Sequence, residues 1–352
     1  MRKLRVGMVA SNVLRIPPLP PEKYVPEGWS GAPELIVHLI TEELVKRGHE
    51  VTLFASGDSA TQAKLESVTK GPTWQTEDHR QYENTLISKA YVMAKQGHFD
   101  ILHSHFDIRT AYFAPFVDTP TVSTLHSPLQ GLTKDILEYF KTSQYYVSIS
   151  DNQRKDLPDL RYISTVYHGV EIDQIPFSQN KEDYLVFAGR VVPKKGVAEA
   201  IEVAKKTNMR LLIFGTPEDP QGAYWQKTVK PQIDQKQIVY KGFVAREKLF
   251  QYYGKAKAML FPINWEEPFG LVAIEAMACG TPVIAFRRGA LPEIIEQGVN
   301  GFLVNNVEEM SMALARVESI EAARCRKTVE ENFTVKKMVD GYEAAYHAIL
   351  QK

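Results

Sequence analysis

The sequence predicts an α/β protein built as two facing Rossmann-like domains with an interdomain cleft. Three observations carry this. Short apolar runs recur along the chain, separated by helical patterns, in the alternation expected of parallel layers. The alternation restarts after residue 180, so one open sheet follows another. A length of 352 residues suits two independently cored domains. With 44% of residues hydrophobic and 24% charged, composition is that of a globular protein and excludes disorder and fibrous repeats.

In the first half the expected strands are residues 4–10, 50–55, 101–103, 121–125, 145–149 and 163–167. The clearest helix follows the first of them. Leu35, Ile36, Leu39, Ile40 and Leu44 mark one face, with Pro33 near its start and Gly48 at its end. In the second half the strands are 184–188, 211–214, 238–240, 258–261, 282–286 and 301–304. The periodicity breaks between His168 and Ser178, which divides the chain into domains at 1–168 and 169–332. Residues 333–352 form a last amphipathic helix, with Val335, Met338, Val339, Tyr342, Ala345, Tyr346 and Ile349 on one face, expected to pack back on the first domain. Ligands of open α/β sheets bind beyond the carboxyl ends of the strands, which is where the informative residues fall.

Composition narrows the function. Lys plus Arg and Asp plus Glu are equal at 42 each, without the basic excess usual for a nucleic-acid binder. Cys279 and Cys325 provide neither a disulfide framework nor a Cys-x-x-Cys pair, which suits a reducing compartment and predicts a cytoplasmic protein. Val6 to Ala10 is too short an apolar stretch for a secretory signal and reads as the first strand. No run approaches the ~20 apolar residues of a spanning helix, although peripheral membrane contact stays open.

Residues 266–282, Glu-Glu-Pro-Phe-Gly-Leu-Val-Ala-Ile-Glu-Ala-Met-Ala-Cys-Gly-Thr-Pro, are the most specific feature. Pro268 suits a first helical position, Gly280 a stop and Pro282 the break beyond, which predicts a helix over 268–279. The backbone N–H groups of Phe269, Gly270 and Leu271 are then unpaired donors at the positive end of a helix dipole, an arrangement that binds phosphate. Glu267 and Glu275 lie roughly 10 Å apart along such a helix, comparable with the span from a hexose to a ribose across a diphosphate. Glu275 sits amid Leu271, Val272, Ile274, Ala276 and Met277, where a carboxylate needs a partner; a ligand hydroxyl is one. Acidic residues at a helix start also favour the dipole without any ligand.

After the first strand of the second domain come Gly189-Arg190 and then Lys194-Lys195-Gly196, which open another helix. Cations at the positive end of a helix are unfavourable unless an anion sits among them. Arg190 offers bidentate recognition and Lys195 a point charge, and both can stabilise a departing diphosphate.

These residues, with Gly242-Phe243-Val244, Pro292-Glu293-Ile294, Gly298 and Asn300-Gly301-Phe302, make nearly the whole chain resemble the retaining nucleotide-sugar glycosyltransferases of family 4, whose fold is GT-B. The resemblance implies a nucleoside-diphosphate sugar, UDP-sugar by family habit, as donor and a hydroxyl of unidentified chemistry as acceptor. It assigns Arg190 and Lys195 to the diphosphate, Glu275 to ribose, and Glu267 with the backbone of Phe269, Gly270 and Leu271 to the sugar. Val244 and Leu249 flank the base. His126, closing Thr-Val-Ser-Thr-Leu-His, matches the cleft histidine that reaches the donor sugar. Gly31 matches a glycine-rich turn near the reacting centre, although two adjacent glycines are common there and this chain has Ser30-Gly31-Ala32. No metal or other cofactor is implied, and no Asp-x-Asp is present.

Other classes compete. A GT-B sugar-nucleotide epimerase shares the fold. His103, His105 and Asp107 alternate on one strand and could ligate a metal in a hydrolase, although Ile108 stands where such motifs commonly place another histidine. The chain has neither a Gly-x-Gly-x-x-Gly after a strand nor a P-loop. The loop 14–30, rich in proline with Tyr24 and Trp29, is a candidate acceptor contact or a stiff surface connection.

Overall fold

A computed structural model describes residues 2–19 and 31–352. Pro20, Pro21, Tyr24, Pro26 and Trp29 of the proline-rich loop lie outside the described residues. The chain divides into two compact units. One takes the described residues up to Gly169 together with Val335–Lys352, and the other contains Val170–Thr334.

The first unit is a parallel seven-stranded sheet in the order β3-β2-β1-β4-β5-β6-β7. Its strands are β1 (Arg5–Val9), β2 (Glu50–Phe54), β3 (Lys64–Glu66), β4 (Ile101–Ser104), β5 (Thr121–Thr124), β6 (Tyr145–Ser148) and β7 (Tyr162–Thr165). β4, β5 and β6 are buried along their whole length, as in sheets covered on both faces. Helices α1 (Ala32–Lys46), α2 (His79–Lys95) and α3 (Leu132–Tyr139) follow β1, β3 and β5. Strand β3 is absent from the sequence expectations because Lys64-Leu65-Glu66 is a half-exposed edge with no apolar run.

The second unit is a parallel six-stranded sheet in the order β10-β9-β8-β11-β12-β13. Its strands are β8 (Tyr184–Ala188), β9 (Arg210–Phe214), β10 (Ile238–Gly242), β11 (Ala258–Phe261), β12 (Val283–Phe286) and β13 (Gly301–Val304). Helices α4 (Val197–Lys206), α5 (Arg246–Lys255), α6 (Leu271–Ala278), α7 (Leu291–Ile294), α8 (Val307–Leu314) and α9 (Ala322–Asn332) connect them.

The last helix, α10 (Val335–Leu350), belongs to the first unit. Its buried Met338, Val339, Tyr342, Ala345, Tyr346 and Ile349 form a core-facing stripe. A polar clamp accompanies it: Glu343 accepts from Arg47 and from His49 Nε2 at 2.8 Å, and Arg47 also reaches Asp340 at 2.7 Å. Burial opposes ionisation of Glu343, but the bonds from His49 and Arg47 prevail and hold its carboxyl below the usual range. Among the described residues no helix is long and apolar enough to cross a membrane.

Each sheet reverses direction once. In the second unit the chain moves outward from β8 through β9 to β10, then returns to place β11 on the other side of β8. The switch point is therefore between β8 and β11, the position that opens a crevice at the carboxyl edge. In the first unit it lies between β1 and β4.

Candidate active site

The second unit's switch point gathers the residues singled out by sequence. After β8 comes Gly189-Arg190, then a 3₁₀ turn over Pro193–Lys195. Gly196 caps α4 in the left-handed region at φ 79°. A Cβ on Gly196 would lie 1.8 Å from the carbonyl oxygen of Pro262, just beyond β11. Only glycine lets these two strand-end loops touch.

That approach brings Lys195 to Glu267. Nζ lies 2.5 Å from Glu267 Oε2, and the Trp265 indole N–H donates to the same oxygen at 2.9 Å. Lys194 and Lys195 both sit over the Trp265 ring, at 4.5 and 4.9 Å from its centroid. The Glu267 backbone is pinned from the loop after β12: Ala290 N–H donates to its carbonyl at 2.9 Å. A Cβ on Gly289 would approach its N and O to 2.3 Å. Arg190 Nη1 pairs with Glu218 at 2.7 Å. The Lys194 amine is held below its usual range, first by burial and next by the nearby positive charge of Arg190, so the cations share one electrostatic neighbourhood.

The following helix begins later than the sequence suggests. α6 starts at Leu271, whereas the expectation was 268, because Gly270 adopts φ 111° and turns the chain immediately before the helix. Pro268 and Phe269 therefore precede the helix, and the first-turn donors shift towards Leu271 and Val272. Among the described residues the N–H groups of Gly270, Leu271 and Val272 donate to no protein acceptor, while Ala273 N–H closes a turn on Gly270 at 2.9 Å. The donors left without a protein acceptor at the helix end are thus displaced by one residue from those expected.

Glu275 is buried at 6% exposure, and its partner is a protein cation rather than a ligand alone. Arg246 reaches Oε1 through Nε at 3.0 Å and Nη2 at 2.8 Å. Among the described residues no donor reaches Oε2. Arg246 opens α5, so Val244 and Leu249, both partly exposed, flank this carboxylate in sequence. Sequence reasoning missed Arg246, Trp265, Glu218 and Gly289. A signal existed for Arg246, since an arginine in the first turn of a helix opposes the dipole and asks for a carboxylate.

Residues 170–333 match the model of the glycosyl transferases group 1, and residues 33–174 that of Glycosyltransferase Family 4. The two matches overlap at residues 170–174 and together reach into both units. This chain belongs to the family 4 glycosyltransferases. The glycosyltransferase is 24% identical to an N-acetyl-alpha-D-glucosaminyl L-malate synthase of Bacillus anthracis, over 88% of this chain and 92% of that protein. It is 24% identical to a D-inositol 3-phosphate glycosyltransferase of Mycolicibacterium smegmatis, over 91% and 86%. Among solved structures, a glycosyltransferase involved in avilamycin A biosynthesis aligns with TM-score 0.71 and 22% identity over 99% of this chain and 98% of that one. HepE of Anabaena, in complex with UDP and glucose, aligns with TM-score 0.71 and 17% identity over 98% and 100%. The fold of the glycosyltransferase is GT-B.

In the first unit, Gly31 caps α1 at φ 65°, and a Cβ there would lie 2.9 Å from Pro18 Cβ. His126 follows β5, with its backbone N–H donating to Asp107 Oδ1 at 2.7 Å and its ring Nε2 2.9 Å from His105 Nδ1. The alternative metal set is taken up by other partners. His103 is engaged by Thr124 and Tyr346, His105 by His126, and Asp107 by the His126 backbone. Among the described residues no group of three His, Cys, Asp or Glu is placed to hold an ion. His103, His105 and Asp107 serve the packing around His126 instead.

Proposed function

We propose that this glycosyltransferase moves a hexose-type sugar from UDP to an acceptor hydroxyl with retention and without a metal bridge. One arrangement carries the reading: Arg190, Lys194 and Lys195 at the β8 edge, beside a helix end whose Gly270, Leu271 and Val272 N–H groups have no protein acceptor among the described residues. Cations and an open helix terminus supply the charge neutralisation that a bound Mg²⁺ would otherwise give a diphosphate. Glu267, fixed by Lys195, Trp265 and Gly289, accepts from sugar hydroxyls; Glu275 keeps Oε2 for ribose. HepE, a fold neighbour, has been seen with UDP, with UDP and glucose, and with UDP-glucose, which supports the choice of base and sugar.

In the reaction the bond from the anomeric carbon to the phosphate oxygen breaks as Arg190 and Lys195 take up the growing negative charge. The acceptor oxygen bonds to the same face, and its proton leaves on the diphosphate. The family resemblance assigns His126 a hydrogen bond to the sugar and Gly31 a place near the reacting centre.

Thermal stabilisation by UDP, GDP, ADP, TDP and NAD, each with and without EDTA, tests the donor. UDP should raise Tm despite EDTA, and the rise should largely vanish in Lys195→Ala. A response that needs metal, or none to any diphosphate, would remove the reading. NMR of the product's anomeric centre decides retention.

A further inference from the structure

His126 does not stand alone. Four imidazoles form a column in the first unit: the ring of His103 lies 4.4 Å from that of His105, His105 5.1 Å from His126, and His126 5.5 Å from His168, the last two pairs stacked within 30° of parallel. Burial, followed by mutual repulsion, depresses the basicity of His103, His105 and His168; burial lowers His126 against the opposing pull of Asp107. The column is neutral near pH 7.

A neutral imidazole has one N–H and one bare nitrogen, so the 2.9 Å contact between His105 Nδ1 and His126 Nε2 admits two arrangements. If His126 donates, His105 must carry its proton on Nε2. That atom is buried and has no hydrogen-bond partner among the described residues, so an N–H would be orphaned. His103 cannot relieve it, because Tyr346 OH engages its Nδ1 at 2.6 Å and Thr124 Oγ1 its Nε2 at 2.8 Å. If His105 donates, its Nε2 is only a bare acceptor. Buried orphaned donors are the rarer defect, which selects the second arrangement.

We propose that His105 is a positioning residue that holds His126 as its Nδ1–H tautomer, so that His126 meets the substrate as a hydrogen-bond donor and not as a base. The consequence for transfer rests on the role given to His126 above; the tautomer itself does not. Which nitrogen of a histidine acts is set by the bond made at the other. Asp107 fixes the backbone and His168 the ring plane, leaving His105 to fix the proton.

The test is two-bond ¹H–¹⁵N correlation on the full chain labelled with ¹⁵N-histidine, with His126 assigned through His126→Gln. At pH 7.5 the wild type should show His126 protonated at Nδ1 and bare at Nε2. His105→Asn, whose amide can donate from the same place, should keep that state and retain kcat within about 3-fold. His105→Phe should lose it and reduce kcat at least 10-fold, with donor KM little changed. His126 protonated at Nε2 in the wild type, a measurement that needs no His105 variant to fold, would overturn the inference even if His126→Ala abolished transfer. Unchanged transfer in His126→Ala would instead remove the role of His126 in the reaction, with the tautomer still read directly.

Discussion

At the residue scale, the most instructive side chain is Glu275. Its isolation in an apolar helix shows in the sequence that a partner is needed, but periodicity gives no access to a partner 29 residues away on α5. The carboxylate is therefore both structural and available, with Arg246 on Oε1 and no protein donor on Oε2 among the described residues. Removing one partner of a largely buried pair leaves the other uncompensated. Because Arg246 keeps 29% of its side chain exposed, Glu275→Ala should cost about 1–2 kcal/mol, below the range for fully buried pairs. Arg246→Met in the same background should recover part of that loss, as read by urea denaturation of the single and double variants. Nucleotide affinity should not recover with stability; if the two returned together, the ribose role of Glu275 would fall.

At the element scale, twelve of the thirteen strands overlap the expected positions, because apolar runs in a sheet covered on both faces are hard to mistake. The one that escapes does so for a physical reason. β3 is a short polar edge; β7, half-buried along its length, overlaps its expected run but starts one residue earlier and stops two residues earlier. The expected start of α6 at Pro268 differs from the observed Leu271 because Pro268 fits a first helical turn, and only tertiary packing reveals that Gly270 has left the helical region. That packing depends on a second glycine that the sequence motif does not advertise. Gly289 has φ 56° and lies under the Glu267 backbone, so Gly289→Ala combines a strained conformation with a steric clash. It should lower kcat/KM at least 10-fold by displacing Glu267, and Tm should fall as well, since Gly289, Ala290 and Leu291 are buried. Activity assays beside a melting curve check this. A variant with wild-type activity would mean that Glu267 needs no fixed backbone.

At the scale of the whole molecule, the buried histidines couple stability to pH. His103 is fully buried with its basicity pushed down to about 3 from an ordinary 6.5, so between those limits the unfolded chain binds a proton that the native state does not. Stability therefore rises with pH through this window, is fully present above about 6.5, and is lost progressively on acidification. Each such ring contributes at most about 1.4 kcal/mol per pH unit, and His105 and His168 add to it in the same direction. Tm should drop steeply from pH 6.5 to 5, before most carboxylates titrate, and less steeply in His103→Asn; a flat profile would show that the column is already charged. The return of α10 to the first unit has another consequence. The second unit is an insertion, complete by Thr334, whereas the first lacks Tyr342, Glu343 and Tyr346 until the last helix has been made. As the chain leaves the ribosome, the part synthesised first must therefore wait for the part synthesised last, and the domain begun second is the one free to finish folding first.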